Sequence, residues 1–284
     1  MNLKETLNAT GKTLIETGSP DAQLEAEVLI RHVLRIDRAT FLRDLEEPVS
    51  EYDRERLDGL VARRLRREPL NYITGFREFY GLSFEVSDGV LIPRQETELL
   101  VDTVIALARS RPKSEMKICD VGTGSGAIAI SLAVHLPSAE IMATDISQRA
   151  LDIADSNRRT HGVYNRVALR CGNLLEPIDY KPEIIVSNPP YIREGDLLFL
   201  QPEIQYEPRV ALDGGTDGLE LIRGLLSQSL DKVSSTGAIL FEIDAAQENS
   251  ARILSREYFP NSEISVLDDL SGDSRAILIE KFSQ

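Results

Sequence analysis

The fold of this chain is decided by one stretch, Lys117-Ile118-Cys119-Asp120-Val121-Gly122-Thr123-Gly124-Ser125-Gly126. It begins as an apolar run typical of a buried strand and ends with a glycine at every second position. Such a turn lets the backbone bend tightly and approach a ligand closely. The residues that follow, 125–136, have the apolar character of a helix. We therefore predict a strand, a ligand-binding turn at residues 122–126, and a helix.

Beyond this unit the sequence continues to alternate between strands and helices. Strands are predicted near residues 116–121, 139–144, 166–171, 183–187 and 237–242. Helices are predicted near residues 125–136, 147–160, 217–233 and 247–258. Two last strand-like runs, 263–267 and 275–281, have no long helix between them. The pattern predicts an α/β fold, with a doubly wound, mostly parallel seven-stranded sheet and an antiparallel edge strand.

Acidic residues flank the glycine turn. Asp145 ends the next strand, about 20 residues on, where a carboxylate can accept both ribose hydroxyls of a nucleotide ligand. Ser147 already fills the alternative role of helix cap. Asp120 precedes the turn and is predicted to accept hydrogen bonds from turn amides or from a ligand ammonium. Asn173, after the third strand, either meets the adenine edge or is a simple turn residue.

The glycine turn alone suits a dinucleotide as well as S-adenosylmethionine. A pyrophosphate is held by a glycine fingerprint of slightly different spacing at a helix N-terminus. A cationic sulfonium ligand also tolerates acidic surroundings better than a pyrophosphate does. The sequence therefore favours S-adenosylmethionine as the cofactor.

A second candidate site follows the fourth strand of the predicted sheet. The apolar run Ile184–Ser187 is followed by Asn188-Pro189-Pro190-Tyr191. Two adjacent prolines stop the strand and keep the chain extended, which places Asn188 where open α/β sheets bind ligands. An amide, free carbonyls and an aromatic ring together suit the binding of a planar NH₂ group. We predict that Asn188, Pro189 and Tyr191 are catalytic and that all four residues bind the substrate.

The first part of the chain is helical in character. Helices are predicted over residues 2–17, 21–35 and 51–68, in a small substrate-docking domain that ends at residue 73. Aromatic residues among glycines predict a β-hairpin linker over residues 74–92, and residues 93–284 form the catalytic domain. Arg94 lies where the linker enters that domain, close to any site at the sheet edge, and both Arg94 and Asn188 are predicted to contact the cofactor.

The third predicted helix is rich in arginine. It contains Arg54, Arg56, Arg63, Arg64, Arg66 and Arg67. The favoured interpretation is a solvated face that pairs with Glu51, Asp53, Glu55 and Asp58. The alternatives are a docking surface for a partner and, on weaker grounds, a surface that binds ribosomal RNA.

Composition narrows the class of protein. The formal net charge is −14, and residues 1–80 carry 13 Lys and Arg against 15 Asp and Glu, so the negative charge is concentrated in the remainder. Because Lys and Arg supply most of the affinity for nucleic acid, this balance argues against a nucleic-acid substrate. The N-terminus has no signal pattern and no apolar run approaches about 18 residues, so we expect a cytoplasmic protein without membrane association. Both cysteines, Cys119 and Cys171, are expected to be buried thiols, and scattered histidines predict no metal site.

The motifs together resemble a known family. The glycine turn, Asp145 and the Asn188–Tyr191 tetrapeptide look like a class I, Rossmann-like S-adenosylmethionine-dependent methyltransferase that acts on a planar nitrogen. Leu91-Ile92-Pro93-Arg94, with Glu96-Thr97-Glu98, resembles the protein-(glutamine-N5) methyltransferase family that modifies peptide chain release factors. The stretch 207–212 with Gly214-Gly215 and the helical N-terminal domain resemble that family too.

The resemblance implies a substrate and a reaction. It implies methyl transfer to the side-chain amide of the glutamine in the Gly-Gly-Gln loop of a release factor, with a monomeric enzyme expected. The Asn188 side-chain oxygen and the Pro189 carbonyl would each accept one N–H of that amide, and Tyr191 would pack on its plane. Gln95 and Asn173 depart from the usual family residues, a proline and an acid, so adenine recognition at Asn173 is left open. Glu242, after the fifth strand, is interpreted as structural.

Two other functions compete with this interpretation. Adenine-N6 nucleic-acid methyltransferases carry a related tetrapeptide, but they need a basic groove and a target-recognition domain that this sequence does not suggest. A non-catalytic cofactor-binding protein would have no use for residues 188–191, which are predicted to form a clamp for a planar NH₂ group. The release-factor interpretation is therefore preferred.

Overall fold

The computed structural model describes residues 1–111 and 116–281. The chain divides into two compact units, Met1–Phe76 with Gln201–Tyr206, and Arg77–Leu200 with Glu207–Gln284. The sequence-based boundaries placed residues 201–206 in the catalytic domain, whereas the structure groups them with the helical unit.

The first unit is built from helices. They are α1 (Leu3–Leu14), α2 (Ala22–Leu34), α3 (Arg38–Arg43), α4 (Glu51–Leu65) and α5 (Leu70–Thr74), with a 3-10 turn at Ile15–Thr17. Leu14, Leu29, Ile30 and Phe41 are almost completely buried in its core. Helices α3 and α5 were not predicted because runs of six and five residues are too short to show a helical period.

The arginines of α4 do not form the predicted solvated face. Arg64 is buried and donates to Glu25 at 2.9 and 3.0 Å and to Glu203 at 2.9 Å. Arg67 donates to both carboxylate oxygens of Glu203 at 2.7 Å, and Arg63 pairs with Glu68. Within the predicted set of partners, only the pairing of Arg56 with Asp53 is recorded for the residues that the structure describes. Glu25 and Glu203 are distant in sequence, so a local charge pattern cannot reveal them, and Glu68 lies just beyond the predicted set of partners.

The predicted hairpin follows, and then a helix. Strands β1 (Phe76–Phe79) and β2 (Leu82–Glu85) are joined by Tyr80 and Gly81, whose φ angles of 51° and 71° are those of a type I′ turn. Phe79 and Phe84 pack edge to face with ring centroids 6.1 Å apart. Helix α6 then runs from Glu98 to Ser110.

The second unit contains the predicted seven-stranded sheet, in the order β5-β4-β3-β6-β7-β9-β8. Its strands are β3 (Met116–Val121), β4 (Ala139–Asp145), β5 (Val167–Cys171), β6 (Ile184–Ser187), β7 (Ala238–Glu242), β8 (Glu263–Asp268) and β9 (Ser274–Glu280). Strands β3 to β7 pair in parallel, and β9 is antiparallel to both β7 and β8. The antiparallel strand therefore lies one position inside the edge, and β8 forms the edge itself.

Helices cover both faces of this sheet. They are α6, α7 (Ala127–His135), α8 (Gln148–Thr160), α9 (Glu220–Lys232) and α10 (Glu248–Tyr258). Two apolar clusters result, one with residues of α6 and α7 and the other with residues of α9 and α10. The chain leaves β3 in the direction of β4 and returns to pair β6 on its other side, so β3 lies at the topological switch point where ligands bind.

Two smaller expectations can be compared with the structure. Cys119 is buried as predicted, but Cys171 is exposed, because it ends the edge strand β5. No helix among the described residues is long and apolar enough to cross a membrane.

Candidate active site

A cavity of about 670 Å³ opens at the carboxyl ends of β3, β4 and β6. Val121, Asp145 and Ser187, which end these three strands, all line it. Its volume falls in the range of small-molecule and cofactor sites. The parallel register brings these three strand ends together, so the glycine turn and the tetrapeptide lie on one cavity although they are distant in sequence.

The glycine turn forms one wall of the cavity. Gly122, Gly124 and Gly126 have φ angles of 73°, 56° and 84°, which favour glycine. A β-carbon at Gly122 or Gly124 would meet no protein atom within 4 Å, whereas one at Gly126 would lie 2.8 Å from Ile130 Cδ1. Gly122 and Gly124 thus leave space for a ligand, and Gly126 allows the turn to pack against its own helix. Thr123 and Ser125 also line the cavity.

Asp145 lies on the cavity beside this turn. One carboxylate oxygen accepts from the Gly124 amide at 2.9 Å, and the other accepts from the Ser147 amide at 2.8 Å. Ser147 caps α8 by accepting from the Ala150 amide, as predicted. Burial raises the pKa of Asp145 above its ordinary value, and the backbone hydrogen bonds oppose that rise. The carboxylate keeps lone pairs that are available to a ligand.

Asp120 does not lie among the residues that line the cavity. It is completely buried and accepts from the Thr123 hydroxyl at 2.7 Å and from the Ala129 amide at 3.2 Å. Among the described residues its other oxygen has no hydrogen-bond partner. Burial raises the pKa of this carboxyl to about 7. The contacts are those of a residue that supports the turn from behind, and none of them faces the ligand space.

The remaining predicted cofactor residues, Arg94 and Asn173, both line the cavity. Arg94 forms an ion pair with Glu207, whose buried carboxylate also accepts from the Ile92 amide at 3.2 Å. The sequence did not predict this anchor for Arg94. Asn173 donates to Glu176 at 3.2 Å, which leaves its amide oxygen available as an acceptor.

Three residues of the tetrapeptide also line the cavity. These are Asn188, Pro189 and Pro190, whereas Tyr191 is not among the lining residues. The Asn188 amide nitrogen donates to the Thr97 hydroxyl at 3.0 Å. Tyr191 is half-buried, and burial raises the pKa of its hydroxyl.

A glycine-rich loop holds the tetrapeptide from outside. Ile192 donates to the Leu212 carbonyl at 3.1 Å, and Gly214 donates back to the Ile192 carbonyl at 2.8 Å. The Gln247 side chain donates to the Tyr191 carbonyl at 3.0 Å. Gly214 and Gly215 are part of the family resemblance, but Ile192, to which Gly214 is hydrogen-bonded, is distant in sequence.

Two polar residues near Asn188 were not predicted as part of the site. Thr97, at the start of α6, makes no capping hydrogen bond and instead donates its hydroxyl to Glu242 at 2.7 Å. Glu242 ends β7 and is 1% exposed. The available signal was a charged residue that directly follows an apolar strand, at the same sheet edge as Asn188.

Comparison with known proteins places the chain in a family. Residues 5–75 match the family described as "PrmC N-terminal domain", and residues 95–202 match "Methyltransferase small domain". The solved hMettl16 catalytic domain in complex with the MAT2A 3'UTR hairpin 6 has a TM-score of 0.56 and 13% identity, over 83% of this chain and 84% of that chain. The T. thermophilus 16S rRNA N2 G1207 methyltransferase in complex with AdoMet and guanosine has a TM-score of 0.54 and 14% identity, over 73% and 50% of the two chains. At these identities the likeness shows a shared fold alone.

Sequence relatives are much more similar. The release factor glutamine methyltransferase of Moorella thermoacetica is 39% identical over 98% of this chain and 98% of its own length. That of Geobacter sulfurreducens is 40% identical over 86% of this chain and 85% of its own length. The chain belongs to the release factor glutamine methyltransferase family.

Proposed function

We propose that this protein uses S-adenosylmethionine to methylate the side-chain amide (N5) of the glutamine in the Gly-Gly-Gln loop of peptide chain release factors. Membership of the family supports the reaction and the substrate. The observation that carries the assignment to residues is that Asn188 and Pro189 share one cavity with the glycine turn and Asp145. A substrate amide and a nucleoside cofactor can therefore meet in a single cavity.

The glycine turn, Asp145 and Asn173 fit the cofactor. The missing β-carbons of Gly122 and Gly124 leave room for close approach of a ligand to the backbone. The Asp145 carboxylate, held by two backbone amides, is an acceptor suited to ribose hydroxyls. Asn173 offers an amide oxygen that can accept from an adenine amine. When bound, the cofactor supplies an electrophilic methyl group on a positively charged sulfur.

The tetrapeptide residues hold the nucleophile. A side-chain amide nitrogen is a poor nucleophile because its lone pair is delocalised into the carbonyl. If the Asn188 oxygen and the Pro189 carbonyl each accept one of its N–H groups, the nitrogen is fixed in position and its planarity is opposed as the new bond forms. Positioning and electrostatics then do most of the catalytic work. The nitrogen gains the methyl group and afterwards releases one proton, so no strong base is required.

Arg94 and Tyr191 take supporting roles in this proposal. The Arg94 side chain, anchored by Glu207, lies on the cavity wall, where it contacts the cofactor in this proposal. The Tyr191 carbonyl accepts a hydrogen bond from the Gln247 side chain, and Tyr191 continues the extended chain that begins at Asn188. Contact between the Tyr191 ring and the substrate amide plane remains part of the proposal.

Mass spectrometry of the release factor tests the function. Purified release factor is incubated with the enzyme and cofactor, and the peptide that contains the Gly-Gly-Gln loop is analysed. We expect a gain of one methyl group on the glutamine. A matched reaction with a Gln-to-Asn release factor is the specificity control, and a reaction with an adenine-containing oligonucleotide tests the competing activity. Methylated adenine with an unmodified glutamine would overturn the proposal.

A further inference from the structure

We propose that Glu242 and Thr97 are positioning residues that fix which end of the Asn188 side-chain amide faces the substrate. This inference rests on the proposed function, because it concerns how Asn188 is prepared to accept the substrate N–H. It assigns a role to two buried polar residues. Among the residues that the structure describes, neither one is hydrogen-bonded to the glycine turn or to Asp145.

The geometry is a directed chain of two hydrogen bonds. The Thr97 hydroxyl donates to Glu242 Oε2 at 2.7 Å, and the Asn188 amide nitrogen donates to the same hydroxyl oxygen at 3.0 Å. The three residues come from the start of α6, the end of β7 and the chain directly after β6. Strands β6 and β7 are neighbours in the sheet, so the fold itself brings Glu242 to this place.

The number of available hydrogens makes the chain directional. A hydroxyl has one hydrogen, and the Glu242 carboxylate can only accept it. The Thr97 oxygen can then only accept from Asn188, so the NH₂ end of the Asn188 amide must face Thr97. The Asn188 oxygen is left for the cavity, where it can accept a substrate N–H. If the Asn188 amide were turned over, its NH₂ group would face the NH₂ group of the substrate. Both groups are donors, so no hydrogen bond could form and the clamp would fail.

The unusual position of Thr97 supports this role. A threonine at the start of a helix ordinarily accepts a hydrogen bond from an amide of the first turn. Thr97 makes no such bond and is 5% exposed, so its hydroxyl is committed to Glu242 and Asn188. Glu242 is likewise enclosed, and an enclosed carboxylate needs partners that a purely apolar strand end would not need.

The charges around Glu242 make this chain of hydrogen bonds sensitive to pH. Burial raises the pKa of Glu242 to about 7; Thr97, Arg275 and the Tyr191 hydroxyl act to lower it, and Glu96 acts to raise it. Arg275 is itself paired with Asp269 at 3.0 Å. Above this pKa the carboxylate accepts from Thr97. As the pH falls below this pKa, the protonated Glu242 can donate to the Thr97 oxygen. The Thr97 hydroxyl can then donate to the Asn188 side-chain oxygen, which favours the amide orientation that cannot accept from the substrate.

Four variants test the inference. Thr97→Val removes the hydroxyl, and Glu242→Gln replaces an obligate acceptor with an amide that can donate as well as accept, so in both variants the direction of the chain is no longer fixed. Thr97→Ser keeps the hydroxyl, and Glu257→Gln removes an exposed charge elsewhere. With release factor as substrate and saturating cofactor, we expect kcat to fall about 100-fold in the first two variants, since misplacement of a reacting group has effects of that size. Thr97→Ser and Glu257→Gln should stay within about threefold of wild type, a change below the effect of one hydrogen bond. Cofactor Kd, measured by calorimetry, should remain similar in all four.

The pH profile separates positioning from a merely structural role. Wild-type kcat at saturating cofactor should rise up to about pH 7 and then level off, and this limb should be absent from the residual activity of Glu242→Gln. Full activity of Thr97→Val, or an unchanged limb in Glu242→Gln, would overturn the inference. Equal loss of cofactor binding and activity in Thr97→Ser would also overturn it, because it would indicate a general packing defect. Failure of the wild-type enzyme to methylate release factor would instead refute the proposed function.

Discussion

A β-carbon added to Gly214 would lie 2.8 Å from the backbone oxygen of Pro190, closer than real side chains approach a carbonyl. It would also lie 2.8 Å from the α-carbon of Tyr191. Both obstacles are backbone atoms of the predicted substrate clamp, so they cannot move aside as a flexible side chain would. The absence of a side chain at position 214 therefore determines where the tetrapeptide can lie.

Gly214→Ala should consequently displace the clamp. We expect it to destabilise the protein by about 1–3 kcal/mol, the usual cost of overpacking, and to reduce methyl transfer with little change in cofactor affinity. Gly195→Ala is the matched control, since a β-carbon there meets no atom within 4 Å. Thermal unfolding and the methylation assay together check this. If the two variants behaved alike, steric contact at position 214 would not matter.

Asn188→Ala removes the side-chain acceptor from the clamp. Because Asn188 is proposed to hold the substrate amide, whereas the glycine turn and Asp145 are proposed to hold the cofactor, we expect cofactor affinity to stay within about fourfold, less than 1 kcal/mol, while methylation is lost. Calorimetry and mass spectrometry of the release-factor peptide measure the two effects. Asn165→Ala, which changes an exposed residue and is prepared in the same way, is the control. Wild-type-like turnover of Asn188→Ala would sink the assignment of this residue.

The sheet and its order of elements were predictable because their signals are local. The glycine turn, the alternation of strands and helices, and the hairpin turn at Tyr80-Gly81 each follow from a few neighbouring residues. Helix α3 was missed because six residues show no period. The place of β9 between β7 and β8 goes beyond the prediction of an antiparallel edge, since strand order depends on pairings that no single strand specifies.

The site was only partly predictable. Asn188 and Asp145 could be placed at the sheet edge because parallel strands end at the same edge. Asp120 was predicted to accept hydrogen bonds from turn amides or from a ligand ammonium, and which of these it can reach depends on how the turn and helix α7 pack around it. Glu242 and Thr97 meet although 145 residues separate them, and nothing in either local sequence indicates the other.

Asp145→Asn tests the ribose acceptor. The amide can still accept from one backbone amide but loses the charge, and a hydrogen bond to a charged group contributes about 1.5–3 kcal/mol. We expect the cofactor Kd to rise at least tenfold, as calorimetry would show. Wild-type binding should itself weaken as the pH falls through the raised pKa of Asp145 and the carboxyl becomes protonated. Asp152→Asn, an exposed change on α8, is the control, and equal affinities of the two variants would count against Asp145.

Arg64→Ala should destabilise the first unit. It would leave the carboxylates of Glu25 and Glu203 without their buried partner, and breaking such a pair typically costs about 3–5 kcal/mol. Arg43→Ala, which removes an exposed pair with Asp44, should leave stability nearly unchanged. Denaturant midpoints measure both. Equal midpoints would show that the buried network contributes little. For the same reason, charge reversal at Arg64 and Arg67 cannot serve as a clean test of partner docking.

Asp120→Asn should change how stability depends on pH. In the folded protein the pKa of Asp120 is about 7, above its ordinary value of 3.8, so the fold binds this proton more tightly than the unfolded chain does. Wild-type stability should therefore fall as the pH rises from about 4 to about 7, by at most about 4 kcal/mol for three pKa units, and then level off. Because asparagine does not ionise, the unfolding temperature of the variant relative to wild type should increase between pH 5 and pH 8. Asp217→Asn is the control: Arg223 lowers the Asp217 pKa to about 2, so its stabilisation is lost only in acid and its difference from wild type should stay constant over that range. A constant difference for Asp120→Asn as well would show that this buried carboxyl does not carry a raised pKa.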